Sequence, residues 1–133
     1  MWDGDVWMKS ERGQATVEFA LVLPILLLLI GGIINFGWVF GNQLLTQNAA
    51  REAARYTAIH YYDSTVDDDR AVAAGIVVAR APTINSPVVT LTAAGETITV
   101  KISSSVNLLT PLISELFPDG KCTITTQCVM RLE

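Results

Sequence analysis

Charge is scarce in the first part of this 133-residue chain: between residues 14 and 50 the only formally charged side chain is Glu18. Basic charge is scarce throughout, with nine Lys and Arg against thirteen Asp and Glu and a net charge of −4. No cationic field exists to displace counterions from a polyanion, so nucleic-acid binding is excluded as a function. His60 is the single histidine. Neither a histidine-cluster metal site nor a Ser/His/Asp triad with a spare ligand can be built from it. Only two cysteines occur, no glycine-rich phosphate loop follows a strand, and internal repeats and low-complexity tracts are absent. These shortages leave no catalytic residue, metal or cofactor to expect, and the chain reads as a non-enzyme. What is abundant is apolar surface: half of the residues are hydrophobic and the mean hydropathy is +0.40, which excludes both disorder and an ordinary cytosolic monomer.

The apolar residues are concentrated in 19–41, FALVLPILLLLIGGIINFGWVFG, where Asn35 is the one strongly polar side chain. As a helix this run extends about 34 Å, enough to cross a hydrocarbon core. A secretory signal would have a shorter apolar region with a cleavage site close behind it. A buried core helix of this length would carry a polar stripe. Pro24 removes a backbone donor near the start of the run and predicts a local kink. Gly31 and Gly32 soften it further, and Gly37 with Gly41 forms a G-x-x-x-G pair at which another helix could approach. Residues 42–60 remain rich in helix formers, with Leu45, Ala49, Glu52/Ala53 and Tyr56 at helical spacing. One long rod over 14–60 is therefore expected, membrane-embedded at first and amphipathic afterwards. Lys9 and Arg12 balance Arg51 and Arg55, so positive charge does not orient it.

Ahead of the run stands Lys9-Ser10-Glu11-Arg12-Gly13-Gln14-Ala15-Thr16-Val17-Glu18-Phe19: a charged stub, a glycine, four residues, and a lone glutamate leading into hydrophobic sequence. This resembles the processing site of type IV prepilins, in which a membrane peptidase cuts after the glycine. The resemblance implies a leader over 1–13, a cut between Gly13 and Gln14, and Glu18 as the fifth residue of the mature chain. Glycine leaves the scissile backbone uncrowded and extended, and the cut creates a new positive amino terminus. One helical turn along, Glu18 could pair with the amine of a neighbouring subunit, where low dielectric strengthens the attraction. The stretch from Arg12 to Pro24, followed by Gln47-Asn48-Ala49-Ala50-Arg51-Glu52-Ala53-Ala54-Arg55, resembles the TadE-like family of pilin-like proteins of the tight-adherence (Tad/Flp) pilus system. TadF-like pseudopilins share that architecture. The stub, with Trp2, Asp3, Asp5, Trp7 and Glu11, departs from an ordinary leader.

Residues 61–133 have the mixed composition of a small water-soluble domain. Residues 64–69 offer a helix N-cap with acids in the first turn, predicting a helix to Ala81 that stops at Pro82. Asp63, Asp67, Asp68 and Asp69 fit that capping role better than a calcium loop. Residues 87–92 and 96–106 alternate around Ala94-Gly95 as a hairpin, with Ile98, Val100 and Ile102 inward. An apolar crossover over 108–117, closed by Pro118-Asp119-Gly120, leads to a third strand, 122–132, with Cys122, Ile124, Cys128, Met130 and Leu132 inward. The expected fold class is α+β: a long pilin-like membrane helix, then one helix and a three-stranded antiparallel sheet that needs the rod to cover its apolar face. If the last strand is continuous, Cys122 and Cys128 lie about 20 Å apart and cannot bridge. A hairpin loop closed by the pair is the alternative.

The resemblance implies a minor pilin or pseudopilin, a structural subunit for an adhesive Tad/Flp pilus. Its implied partners are other pilin subunits, the prepilin peptidase, the inner-membrane assembly platform and its motor ATPase. The implied location is the bacterial inner membrane, single-pass, with the C-terminal domain extracytoplasmic, and the extracellular pilus after assembly. A permanently anchored periplasmic binding or sensory domain is the alternative from another class.

Overall fold

The computed structural model describes residues 5–132, with side chains from Gly13 onward. Residues 1–4 of the expected leader, the side chains of its remaining part before Gly13, and Glu133 lie outside the described residues. A single helix, α1, runs from Asp5–His60 with Pro24 inside it. It passes through Gly13 without interruption, so the backbone there is helical rather than extended. Within this helix the glycine carries its ordinary penalty of about 1 kcal/mol relative to alanine.

Two turns beyond His60, Thr65 caps α2, Val66–Arg80, its hydroxyl accepting from the Asp68 amide at 3.3 Å. Asp67, Asp68 and Asp69 occupy the first turn, where carboxylates meet the positive end of the helix dipole. The cap and the first-turn acids lie within residues 64–69 as expected, and the helix ends at Arg80, one residue before the expected Ala81. α2 returns antiparallel along α1, with Arg80 reaching Glu52 and Thr83 donating to Asn42. The interface is made of small side chains: Ala49, Ala50, Ala53, Ala54, Ala73 and Ala81 are all fully buried. Such residues let two backbones approach closely.

The strands β1, Asn85–Ala94, β2, Thr97–Asn107, and β3, Lys121–Arg131, form an antiparallel sheet in the order β1-β2-β3. The β1–β2 turn places Gly95 at φ +60°, a conformation in which glycine carries no steric penalty. β1 begins irregularly: its register shifts between Asn85 and Val88, next to Pro87, which has no amide to give to the ladder. Ile98, Val100 and Ile102 face inward from β2, as the alternation predicted, and Val106 continues the same face. α1 covers β2 and β3, and α2 covers β1. The architecture is α+β, with two helices on one face of the sheet and residues 13–30 of α1 projecting beyond it.

Of the positions noted at helical spacing in residues 42–60, α1 buries Ala49 and Ala53 and not the others. Thr46, Ala49, Ala50, Ala53, Ala54, Thr57 and Ala58 are inside, whereas Leu45 and Glu52 are exposed and Tyr56 is half-buried. Close packing against α2 and the sheet selects small residues and turns the leucine and the carboxylate outward. Thr46 and Thr57 satisfy their hydroxyls on the carbonyls four residues back, at 2.8 and 2.9 Å.

Candidate functional site

Residues 13–30 of α1 carry no protein cover: Leu23 is half-buried and every other residue is exposed. Phe19, Leu21, Ile25, Leu27 and Leu29 are each more than half accessible. An unsupported helical run of this hydrophobicity requires an apolar solvent or other apolar helices. Among the described residues it is the one helix long and apolar enough to cross a membrane, compatible with a single-pass anchor. Glu18 lies at its beginning, exposed, and accepts a hydrogen bond from Gln14 Nε2 at 3.1 Å. The i, i+4 spacing brings the expected new terminus and the carboxylate to one face of the helix.

The domain meets α1 at Gly31, well inside the apolar run. There the crossover between β2 and β3, containing the short helix α3, Pro111–Ser114, folds back against the rod. A Cβ on Gly31 would lie 3.5 Å from Ile113 Cδ1 and from Thr110 Cγ2, ordinary contact distance, so the space between rod and crossover takes a methyl group and nothing larger without displacing them. One turn on, Asn35 is only 4% exposed. Its Oδ1 accepts from the Leu109 amide at 2.8 Å and the Thr110 amide at 3.4 Å, and its Nδ2 donates to Thr110 Oγ1. The polar interruption of the run is therefore a clasp for the crossover. Trp38 extends the seam by donating from Nε1 to the Asn107 carbonyl at 3.1 Å. Beside the clasp lies an open, almost wholly apolar groove of about 280 Å³, lined by Gly32, Phe36, Val39, Leu108, Ile113 and Phe117 among others.

Of the predicted helix-packing residues, Gly37 and Gly41 meet nothing within 4 Å and leave their faces open, and Pro24 sits in the uncovered part. Gly31 and Asn35 are the residues whose contacts the sequence reading missed. Their signal was present in the four-residue spacing, but a partner 75 positions away gave no local sign. The remaining candidates have structural surroundings. His60 lies against Tyr56, ring centroids 4.2 Å apart, with Nδ1 2.9 Å from the Tyr56 carbonyl. Asp67 pairs with Arg70 at 3.1 Å. Glu52 pairs with Arg80 at 2.7 Å, and this hydrogen bond and charge raise the guanidinium above its ordinary pKa. β3 is continuous, so Cys122 and Cys128 lie six residues apart on one strand face as free thiols.

This geometry defines a class: an α+β domain carried on one long helix whose stretch over 13–30 is bare and largely apolar. Residues 13–55 match the model of the TadE-like protein family, so the chain carries a TadE-like segment over about a third of its length. The match begins at Gly13 and ends at Arg55, spanning the bare helix, the clasp and the alanine stripe against α2. No curated protein and no solved structure matches the chain.

Proposed function

We propose that this protein is a minor pilin or pseudopilin, a structural subunit that the Tad/Flp machinery draws from the inner membrane into or onto an adhesive pilus. The observation that carries this reading is the bare helix over 13–30 with a lone exposed carboxylate, Glu18, near its start, within a segment that matches the TadE-like family. A helix with an uncovered apolar face on all sides can exchange lipid for the helices of like subunits at little cost, because both surroundings are apolar. Cleavage between Gly13 and Gln14 by a prepilin peptidase supplies the amine that Glu18 of a neighbouring subunit pairs with. Gly37 and Gly41, open in the single chain, offer a place for a second helix to approach. The platform and its motor ATPase are the partners this role requires, and the domain over 61–133 lies outside the cytoplasm. The role is one of packing, not catalysis.

Immunogold labelling of sheared filaments, with an antibody raised against residues 61–133, tests it. Gold on filaments is expected, in addition to a membrane-bound pool. Gold confined to membranes in piliated cells favours the permanently anchored domain instead.

A further inference from the structure

We infer that the crossover over 108–117 is a membrane-interfacial element, seated in the bilayer leaflet on the domain's side while the protein is anchored. The inference rests on the membrane reading of α1 but not on incorporation into a filament.

Helix length gives the first argument. A hydrocarbon core of about 30 Å takes about 20 helical residues at 1.5 Å each. If the core begins at Phe19 it ends near Trp38, and Gly31 lies only about 18 Å along it. If it begins as early as Gln14, Gly31 is about 26 Å along, still within it. Tilt draws Gly31 deeper in either case. The crossover is fixed to α1 at Gly31 and Asn35, so it sits at or below the edge of the hydrocarbon.

The second argument is the surface it presents. Leu109 is 53% exposed, Leu112 56% and Leu116 71%, with Phe117 also exposed. Phe117 lines one apolar groove with Phe36 of α1, and Ile33, Ile34, Phe36 and Phe40 on the rod are themselves exposed. In water four such side chains within nine residues are unfavourable. Against acyl chains they are at home.

The third argument is the backbone. Lipid-facing chain must satisfy its own polar groups. Asn35 accepts from the amides of Leu109 and Thr110, Leu108 donates to the Gly120 carbonyl at 3.0 Å, and every amide from 113 to 117 donates to a carbonyl within the crossover. Pro111 has no amide to satisfy. Glu115 and Asp119, both exposed, limit the depth to the headgroup boundary.

The test uses the unmodified full chain in phosphatidylcholine/phosphatidylglycerol vesicles doped with a phosphatidylcholine that carries a diazirine on its acyl chain. After illumination, adducts are mapped by mass spectrometry. Adducts are expected on 19–30 and on 109–117, and not on the outward positions of β1 or on the Gly95 turn. Leu116→Glu should reduce adducts on 109–117 roughly fivefold or more and leave those on 19–30 unchanged. Adducts confined to α1 would overturn the inference while leaving the anchor intact. Crosslinks from 109–117 to a second copy, in place of lipid, would overturn it in favour of a subunit interface. Absence of adducts from 19–30 as well would overturn the anchor reading itself.

Discussion

Replacing Asn35 with alanine removes the acceptor of two backbone amides and the donor to one hydroxyl while leaving the helix free to form. The Leu109 bond at 2.8 Å is well made and the Thr110 bond at 3.4 Å is marginal. Stranding one buried donor costs about 1–3 kcal/mol. Taking the middle of that range, about 2 kcal/mol, the crossover should open about thirtyfold more often, since each 1.4 kcal/mol is tenfold. The penalty is local, because β2 and β3 are held by their own ladder and by the alanine stripe of α1. Native-state amide exchange in detergent or nanodiscs reads it directly: the Leu109 and Thr110 amides should exchange about thirtyfold faster, with the β2 amides from 98 to 104 unchanged. Thr110→Val is the companion variant, since it deletes only the hydroxyl that Asn35 Nδ2 reaches. Its effect should stay near 1 kcal/mol, about fivefold. If Asn35→Ala leaves both amides within about twofold of the wild type, the clasp does not hold the crossover, and the argument for its depth loses its anchor point.

Three further outcomes follow from the same contacts. Glu18→Ala should leave trimming largely intact yet strand the protein in the membrane fraction, and assembly at wild-type levels would refute the docking role. Gly31→Leu should loosen the crossover by forcing Ile113 and Thr110 aside, whereas Gly31→Ala, whose Cβ meets them at ordinary contact distance, should be tolerated; equal amide exchange at 109–110 in both variants would contradict this. Non-reducing peptide mapping should find Cys122 and Cys128 unlinked within one chain, and a linked peptide would show that β3 is broken between them.

Periodicity made most of the architecture legible before any coordinates. The alternation of Ile98, Val100 and Ile102, the Ala94-Gly95 turn and the acids after Thr65 each act over a few residues, and each lies where its local chemistry places it. The misjudged features depend on tertiary contacts. Of the residues at helical spacing, Ala49 and Ala53 are buried, but two backbones packed closely across them leave room only for small side chains and turn Leu45 outward. Asn35 was visible as an interruption and Gly31 as a soft point, yet their partners lie some 75 residues downstream. The upper end of the apolar run therefore serves both the bilayer and the domain, which hydropathy alone could not divide. Gly13 resembled an extended cleavage site, but in α1 it is helical, so a peptidase would have to unwind that turn.

The central claim is that the mature chain is a trimmed, assembled subunit. Intact-mass measurement of the protein recovered from sheared filaments of peptidase-competent cells tests this most directly. The account predicts a chain that begins at Gln14. A chain that retains residues upstream of Gly13, found only in the membrane fraction, would contradict it.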